Sequence, residues 1–404
     1  MLKNPDFITA RNLLVDAVSA VDVEEVPLAE CIGRVLAEDV VAADNVPPFD
    51  RSPYDGYALR SEDVAGATKE NPVTLYIVEE VPAGAVPTVA CTKNTAVKIL
   101  TGAPIPEGAD CVINYERTEF TESSVKIFEP VKAGANIVLT GEDVKKGNLL
   151  ACMGQMIDAG TAGTLASQGI AFPKVYRRPK VGILSTGNEV YEVGEPLAPG
   201  KIYNSNRYTL AAALEQIGCE PVYLGLAGDR AEDISNLMYQ GLEQCDAILS
   251  TGGVSVGDYD FTPDAMEQVG VNMLFRGVQL KPGMACAYGE KNGKLACGLS
   301  GNPASSLTNF HAVAVPALKK LAGRKDYAPQ EITITLKNRF KRKSPTLRLL
   351  RGTLDLSDGT VGMTLPEEQG NVVISSAIGC NVMAIVPAGS GPLEAGTTLK
   401  GFLV

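Results

Sequence analysis

Residues 248–260 read Ile-Leu-Ser-Thr-Gly-Gly-Val-Ser-Val-Gly-Asp-Tyr-Asp and decide the fold of the chain. The apolar start is typical of a buried strand, and Thr262-Pro263 after it indicates the start of a helix. Such a strand, loop and helix start can bind phosphate, because glycines let the backbone approach a ligand and a helix start favours negative charge. The predicted contacts are Gly252, Gly253, Ser255 and Gly257.

Two carboxylates, Asp258 and Asp260, close this stretch. They would repel a phosphate unless a hard cation lay between them, and Mg²⁺ is held by oxygen ligands and water. The sequence therefore predicts Mg²⁺ as cofactor. A tight glycine turn with a solvated acidic rim is an alternative of about equal weight by spacing alone.

Strand and helix patterns alternate through the surrounding residues. Apolar runs at 180–185, 221–226 and 247–250 are separated by helical patterns at 206–217 and 231–244. This alternation predicts a parallel, doubly wound sheet with helices on both faces.

Carboxylates follow each of these three strands. Glu189 follows the first, Asp229 the second, and Asp258 with Asp260 the third. Ligands of open α/β sheets bind at the carboxyl ends of the strands, so these four side chains are the predicted metal ligands. Unrelated solvent-facing acids are the weaker alternative.

A second segment, 298–306, has the residues of another anion-binding helix start. Gly301 and Asn302 form a turn, and Pro303 suits the first helical position. Lys281, in a Lys-Pro282-Gly turn, and Arg276 supply cations, unless both are simply exposed charges. Further on, Arg351 follows apolar neighbours on a strand and is a candidate for reaching a pocket.

The first half of the chain carries two more candidate segments. Prolines forbid regular structure across 47–53, which places Ser52 and Asp55 on an ordered loop, where polar groups are often functional. An aspartate that satisfies turn amides is the alternative. Strand patterns fill 71–128, and Thr101 ends one of them in a rigid turn.

Composition limits the class of protein. A net charge of -11 argues against a nucleic-acid binder. With 9 cysteines lacking any Cys-x-x-Cys pair and 1 histidine, neither a zinc site nor a disulfide framework is indicated, and reduced thiols fit a cytoplasmic protein. No signal pattern or membrane-length apolar run occurs. No Walker loop or serine-nucleophile motif occurs either, so carboxylates, a metal and basic anchors favour group transfer at phosphate.

We expect four domains. They are an elongated mixed domain over 1–45 and 133–178, whose N-terminal helix is available to pack on the α/β domain, a β-rich insert over 46–132, the α/β domain over 179–328, and a C-terminal β-barrel over 329–404. The last segment has strand patterns at 332–336, 347–355, 372–376 and 382–387, which fit a barrel or a sandwich.

The motifs resemble, in order and along essentially the whole chain, those of the molybdopterin molybdenumtransferase family, the MoeA and gephyrin E-domain type. They are Arg51-Ser-x-x-Asp-Gly-Tyr-Ala58, Thr101-Gly-Ala-Pro-Ile-Pro-Glu-Gly-Ala-Asp110, Ser185-Thr-Gly-Asn-Glu189, the glycine loop 252–260, Lys281-Pro-Gly283 and Gly301-Asn-Pro303.

The resemblance implies an enzyme that inserts molybdate into adenylylated molybdopterin with Mg²⁺, releases AMP, and works as a homodimer. It implies catalytic roles for Asp55, Thr101, Glu189, Asp229 and Asp260, and substrate contacts from Lys281, Arg351 and Asn371. Molybdopterin adenylyltransferase and molybdoenzyme apoproteins are implied partners. A molybdopterin adenylyltransferase, or a non-catalytic pterin-binding scaffold, is the alternative function.

The chain departs from the family pattern near the implied oxyanion site. Asn371 stands where many relatives have serine, Met284 where they have a basic residue, Gly277 where a second one precedes Lys281, and Ser300 where they have proline. The identity of the anion that the protein binds therefore stays open between molybdate, tungstate and another oxyanion.

Overall fold

The computed structural model describes residues 1–255, 260–357 and 359–404. These residues form two compact units, the first comprising Met1–Glu38, Met153–Ala159 and Phe172–Val404, and the second Asp39–Cys152 and Gly160–Ala171. The candidates Gly257 and Asp258 lie outside the described residues. The four domain boundaries stay a prediction.

Within the described residues the strands are, in chain order, β1 Leu2–Lys3, β2 Val23–Glu25, β3 Val35–Leu36, β4 Val40–Val41, β5 Gly56–Leu59, β6 Val73–Val81, β7 Thr95–Ile99, β8 Cys111–Asn114, β9 Thr118–Phe120, β10 Ser124–Ile127, β11 Leu149–Ala151, β12 Lys174–Tyr176, β13 Lys180–Thr186, β14 Val190–Tyr191, β15 Ile202–Tyr203, β16 Glu220–Ala227, β17 Ala247–Thr251, β18 Asn272–Arg276, β19 Cys286–Lys291, β20 Lys294–Leu299, β21 Glu331–Leu336, β22 Arg348–Asp355, β23 Gly362–Thr364, β24 Val382–Val386 and β25 Thr398–Leu403. The α-helices are α1 Phe7–Asp16, α2 Ala159–Ser167, α3 Ser205–Gln216, α4 Ala231–Gln244, α5 Thr262–Gln268, α6 Pro303–Asn309 and α7 Val315–Leu321, with a π-helical stretch, Phe310–Ala314, between the last two.

The first unit contains a sheet with the order β1-β18-β19-β20-β17-β13-β16. Its strands β17, β13 and β16 pair in parallel, as predicted, and β20 also pairs in parallel with β17. Strand β19 differs, because it pairs antiparallel with both neighbours. Asn292 and Gly293 join β19 to β20 with φ of 53° and 79°, and an Asn-Gly pair of this kind favours a tight hairpin over a crossover.

Helices cover both faces of this sheet, as predicted. Ile183 packs in a core with residues of α1, α3, α7 and the π-helical stretch, whereas the next residue, Leu184, packs in a second core with residues of α4 and α5. Successive side chains of a strand point to opposite faces, so one buried strand supplies both cores.

The C-terminal strands close into a barrel with the order β21-β23-β22-β24-β25, confirming the predicted barrel. The strand expected at 372–376 is wrong, because the segment contains a 3₁₀ helix, Ile374–Ala377. The Ser376 hydroxyl donates to the Val373 carbonyl at 2.6 Å, and such local bonds compete with a strand ladder.

The second unit contains a sheet with the order β8-β5-β7-β6-β10-β9, in agreement with its predicted strand pattern. Tyr57, Leu75 and Ile113 are fully buried in one of its cores. Among the described residues, no helix is both long and apolar enough to cross a membrane. All nine cysteines are free thiols.

Candidate functional site

A cleft of about 360 Å³ lies at the carboxyl ends of β13, β16 and β17. The carboxylate residues Glu189, Asp229 and Asp260 all line it, together with Gly252, Gly253 and Gly301. The structure therefore brings together residues from each of the three strand ends predicted to meet. Their chemical roles stay predictions.

A hydrogen bond from a backbone amide to a carboxylate ties the loops after β13 and β16 together. The Asn188 amide donates to Asp229 Oδ2 at 3.2 Å, and Lys201 Nζ donates to the Asn188 carbonyl at 2.8 Å. The loop after β13 is therefore held against the carboxylate that follows β16.

The glycine loop after β17 has room for glycine only. Gly252 has φ +99°, and a Cβ there would lie 2.5 Å from Thr186 Oγ1. Gly253 has φ +64°, and its Cβ would lie 2.8 Å from Thr262 Oγ1. That hydroxyl donates to the Gly252 carbonyl at 2.9 Å, which fixes the loop in a form that exposes backbone to the cleft.

The donor set of the cleft fits Mg²⁺ in one particular way. Within 1–255, 260–357 and 359–404, no three His, Cys, Asp or Glu side chains converge closely enough to hold a metal by themselves. Mg²⁺ is usually held by one or two carboxylates, water and substrate phosphates, so carboxylates spread around one cleft are compatible with it. The described residues alone do not form an all-protein cage for the ion.

Polar side chains of the α3 start form another wall that the sequence analysis missed. Asn204 accepts from Ser185 Oγ at 3.1 Å and donates to Glu192 Oε1 at 3.1 Å. Asn206 donates to the Gly301 carbonyl at 2.9 Å. The signal available in the sequence was the pair of asparagines at a helix start, where only one is needed as a cap.

A second cluster in the same unit surrounds Arg351, which is 1% exposed. Its guanidinium donates to Thr308 Oγ1 at 3.2 Å and to Ser376 Oγ at 2.8 Å, while Nε has no partner. No carboxylate of the described residues pairs with it, and burial lowers its pKa below the ordinary value. A buried cation without a counter-ion is a site ready for an anion.

Three segments meet around this arginine. Gln369 accepts from the Arg351 amide at 3.2 Å, the Asn371 carbonyl accepts from the Ser305 amide at 3.2 Å, and Asn309 donates to the Gly283 carbonyl at 2.6 Å. The barrel, the α6 start and the Lys-Pro-Gly turn thus form one cluster. The arrangement has Pro303 in the first turn of α6, as predicted.

The remaining predicted substrate contacts around the cleft and the Arg351 cluster differ in their exposure to solvent. Lys281 is exposed, although its backbone pairs with Leu347 and Leu349. Asn302 is also exposed, and Pro282 is buried. The Ser255 carbonyl accepts from Arg276 Nη2 at 3.0 Å, so that arginine braces the glycine loop.

In the second unit, Asp55 and Thr101 are direct partners. Asp55 Oδ1 accepts from the Thr101 amide at 2.6 Å and from its hydroxyl at 2.7 Å, and these bonds lower the pKa of Asp55. Ser52 is fully buried, and its hydroxyl donates to the Tyr54 carbonyl at 2.5 Å. The Ser52 hydroxyl is therefore engaged within its own turn.

Comparisons with known proteins show which family the chain resembles. Residues 6–169 match the family model "MoeA N-terminal region (domain I and II)", and residues 182–320 match the "Probable molybdopterin binding domain". The molybdopterin molybdenumtransferase of Staphylococcus epidermidis is 37% identical over 93% of this chain and 90% of its own length. The molybdopterin molybdenumtransferase of Bacillus subtilis is 36% identical over 95% of this chain and 90% of its own length.

Among solved structures, the molybdopterin biosynthesis MoeA protein from Pyrococcus horikoshii superposes with a TM-score of 0.85 at 32% identity, covering 99% of this chain and 100% of that one. Fold and matches define a transferase of molybdenum cofactor biosynthesis. The chain belongs to the molybdopterin molybdenumtransferase (MoeA) family.

Proposed function

We propose that this enzyme transfers molybdenum from molybdate to adenylylated molybdopterin, with Mg²⁺, and releases AMP. The carrying observation is the cleft at the ends of β13, β16 and β17, where three carboxylates face a backbone wall of glycines. Family membership supplies the substrate class, and the cleft supplies chemistry suited to a phosphate ester.

The cleft would hold the phosphate end of the substrate. Backbone groups of Gly252 and Gly253 approach the phosphate oxygens without a side chain between them. Glu189, Asp229 and Asp260 would hold Mg²⁺ through one or two carboxylates and water. Bound there, Mg²⁺ would neutralise the charge that develops on the departing AMP.

The cluster around Arg351 would hold the oxyanion. Molybdate is a small dianion, and the net charge of -11 gives no general attraction to it, so fixed local donors must bind it. Arg351 is the buried cation, exposed Lys281 belongs to the adjoining turn, and the Asn371 side chain can donate through its amide.

One assay tests this function. Purified protein is mixed with adenylylated molybdopterin and Mg²⁺, and AMP is measured with and without molybdate. We expect AMP release that depends on molybdate and stops when Mg²⁺ is chelated. In a parallel reaction supplied with molybdopterin and ATP, ATP consumption without molybdate would instead indicate an adenylyltransferase, and binding without turnover in either reaction would indicate a scaffold.

The proposal includes a cytoplasmic homodimer that exchanges pterin substrates with a molybdopterin adenylyltransferase and molybdoenzyme apoproteins. The support is family membership together with free thiols. Replacing molybdate by tungstate in the same assay tests the anion preference left open by Asn371.

A further inference from the structure

Asn206, the second residue of α3, lines the cleft and has an unused hydrogen-bond acceptor. The residue is 8% exposed. Its Nδ2 donates to the Gly301 carbonyl at 2.9 Å, while its Oδ1 is shielded from solvent and has no partner among the residues the structure describes. A buried carbonyl oxygen left unpaired costs free energy, so a partner from a ligand is the natural completion.

The orientation of this amide is fixed by its neighbour. The Gly301 carbonyl can only accept, so the nitrogen of Asn206 must face it and the oxygen must face away. Two other buried side-chain oxygens of this unit, the hydroxyls of Ser250 and Ser306, also lack partners among the described residues. They are not among the residues that line the cleft, and a hydroxyl can rotate.

A hydrogen-bond acceptor can bind only a part of the substrate that carries a hydrogen-bond donor. Phosphate and molybdate oxygens accept hydrogen bonds themselves, so Asn206 Oδ1 needs an N–H or O–H donor elsewhere on the ligand. Beside it, a Cβ on Gly301 would lie 3.6 Å from Gly252 Cα, so two bare backbones pack side by side. The Gly301 side of this wall lies beside the proposed phosphate contacts of Gly252, carries no side chain and suits a flat ring.

We propose that Asn206 Oδ1 accepts a hydrogen bond from the exocyclic amino group of the substrate's aminopyrimidine-type heterocycle and thereby orients it. This assignment rests on the proposed function. Both the pterin and the adenine of an adenylylated pterin carry such a donor, so the test has two arms.

Each arm compares two probes that differ at the donor. In the first, binding of 6-carboxypterin is compared with 6-carboxylumazine, which has oxygen in place of the amino group. In the second, AMP is compared with purine riboside 5′-monophosphate, which lacks the amino group. We expect the wild-type protein to prefer the amino ligand of one pair by about tenfold.

Two variants separate the acceptor from the tether to Gly301. Asn206→Leu removes both, and the preference should fall to about onefold. Asn206→Asp keeps an acceptor oxygen but loses the donor to Gly301, and the preference should survive. The melting temperature of each variant is recorded, and Asn206→Ala replaces the leucine variant if that one unfolds.

The outcome is read from ligand preference rather than from affinity alone. If the leucine variant loses the preference for 6-carboxypterin over 6-carboxylumazine, the acceptor binds the pterin. If it loses the preference for AMP over purine riboside 5′-monophosphate, the acceptor binds the adenine. Unchanged preferences in both pairs, or equal collapse in the leucine and aspartate variants, would overturn the inference. Molybdate-dependent AMP release by the wild-type enzyme tests the proposed function separately, so the two can fail independently.

Discussion

At the scale of single residues, Arg351 places a positive charge in the interior at a cost in folding free energy. Burying a charge without a counter-ion costs free energy, so an apolar residue of similar size in its place should not destabilise the fold. We therefore expect Arg351→Met to keep or raise the melting temperature. Loss of a charged hydrogen bond should raise the molybdate concentration needed for half-maximal AMP release by roughly ten- to a hundredfold.

Two comparisons sharpen this prediction. Lys281→Ala should raise the molybdate requirement by a similar factor, while Arg339→Met, at an exposed arginine paired with Glu394 in the same barrel, should change nothing. Loss of pterin affinity with unchanged molybdate dependence would move Arg351 and Lys281 to the phosphate end of the substrate.

Asp260 tests the proposed metal. Asp260→Asn should reduce Mg²⁺-dependent AMP release at least as much as the roughly 10- to 100-fold loss that follows removal of an outer partner of a metal ligand. The melting temperature should change little by comparison. Asp16→Asn, at an exposed aspartate at the end of α1, is the matched control. Turnover equal to wild type across a Mg²⁺ titration would contradict the role.

The sequence was informative about charged residues at strand ends and uninformative about buried amides. Glu189, Asp229 and Asp260 could be brought together because parallel strands share an edge and each acid follows one strand. Asn206 and Gln369 could not be predicted as site residues. Their roles depend on burial and on which amide atom, oxygen or nitrogen, faces the site. Those properties arise from tertiary packing, which spacing along the chain does not encode.

At the scale of elements, the glycine loop after β17 should tolerate no side chain. In Gly252→Ala the new Cβ meets the Thr186 hydroxyl and carbonyl, at 2.5 and 2.9 Å, in a left-handed conformation. We expect a loss of stability of about 1–3 kcal/mol and loss of AMP release. Gly163→Ala in α2, where a Cβ meets nothing within 4 Å, should instead stabilise by about 0.4–1 kcal/mol. Urea unfolding of both variants checks the contrast.

The start of the parallel sheet depends on Asp246, just before β17. Burial raises its pKa, but Arg177, with two contacts of 2.6 Å, and the Lys180 amide outweigh burial and lower the pKa below 3.8. The resulting stability is present above about pH 3.8 and is lost as pH falls through the lower folded pKa. Asp246→Asn should therefore cost about 1–2 kcal/mol at pH 7, allowing for partial solvent screening, and progressively less in acid.

Thermal unfolding of wild type and Asp246→Asn from pH 7 down to pH 3 measures this difference. A gap between the two proteins that stays constant over the whole range would contradict the role of the carboxylate charge. Asp16→Asn serves again as a control, since its aspartate lies on the surface.

Most elements were predictable because their patterns are long and regular. Three strands of the parallel part of the sheet, β13, β16 and β17, are apolar runs between helices, and the prediction placed them within a residue or two. The segment 372–376 failed because a short apolar run is ambiguous, and there Ser376 bonds its own backbone and Arg351 instead of joining a ladder. The hairpin β19–β20 was missed although Asn292-Gly293 is a strong turn signal.

At the scale of the whole molecule, the candidate residues divide between two units. Asp55 and Thr101 are partners in one unit, and the cleft with Asp260 belongs to the other. A closed oligomer can complete one site with groups from two chains. We propose a homodimer that does so, and the proposal predicts complementation between two inactive chains.

The decisive experiment mixes Asp55→Ala with Asp260→Ala. Each homodimer should be inactive, because each site lacks one group. After subunit exchange, about half of the molecules are hybrids at random mixing, and a hybrid pairs one intact second unit with one intact cleft at one of its two sites. Recovered AMP release should therefore approach about a quarter of the wild-type rate. Differently tagged chains verify that exchange has occurred, and exchange without recovery would show that Asp55 and Asp260 act within the same chain or in separate functions.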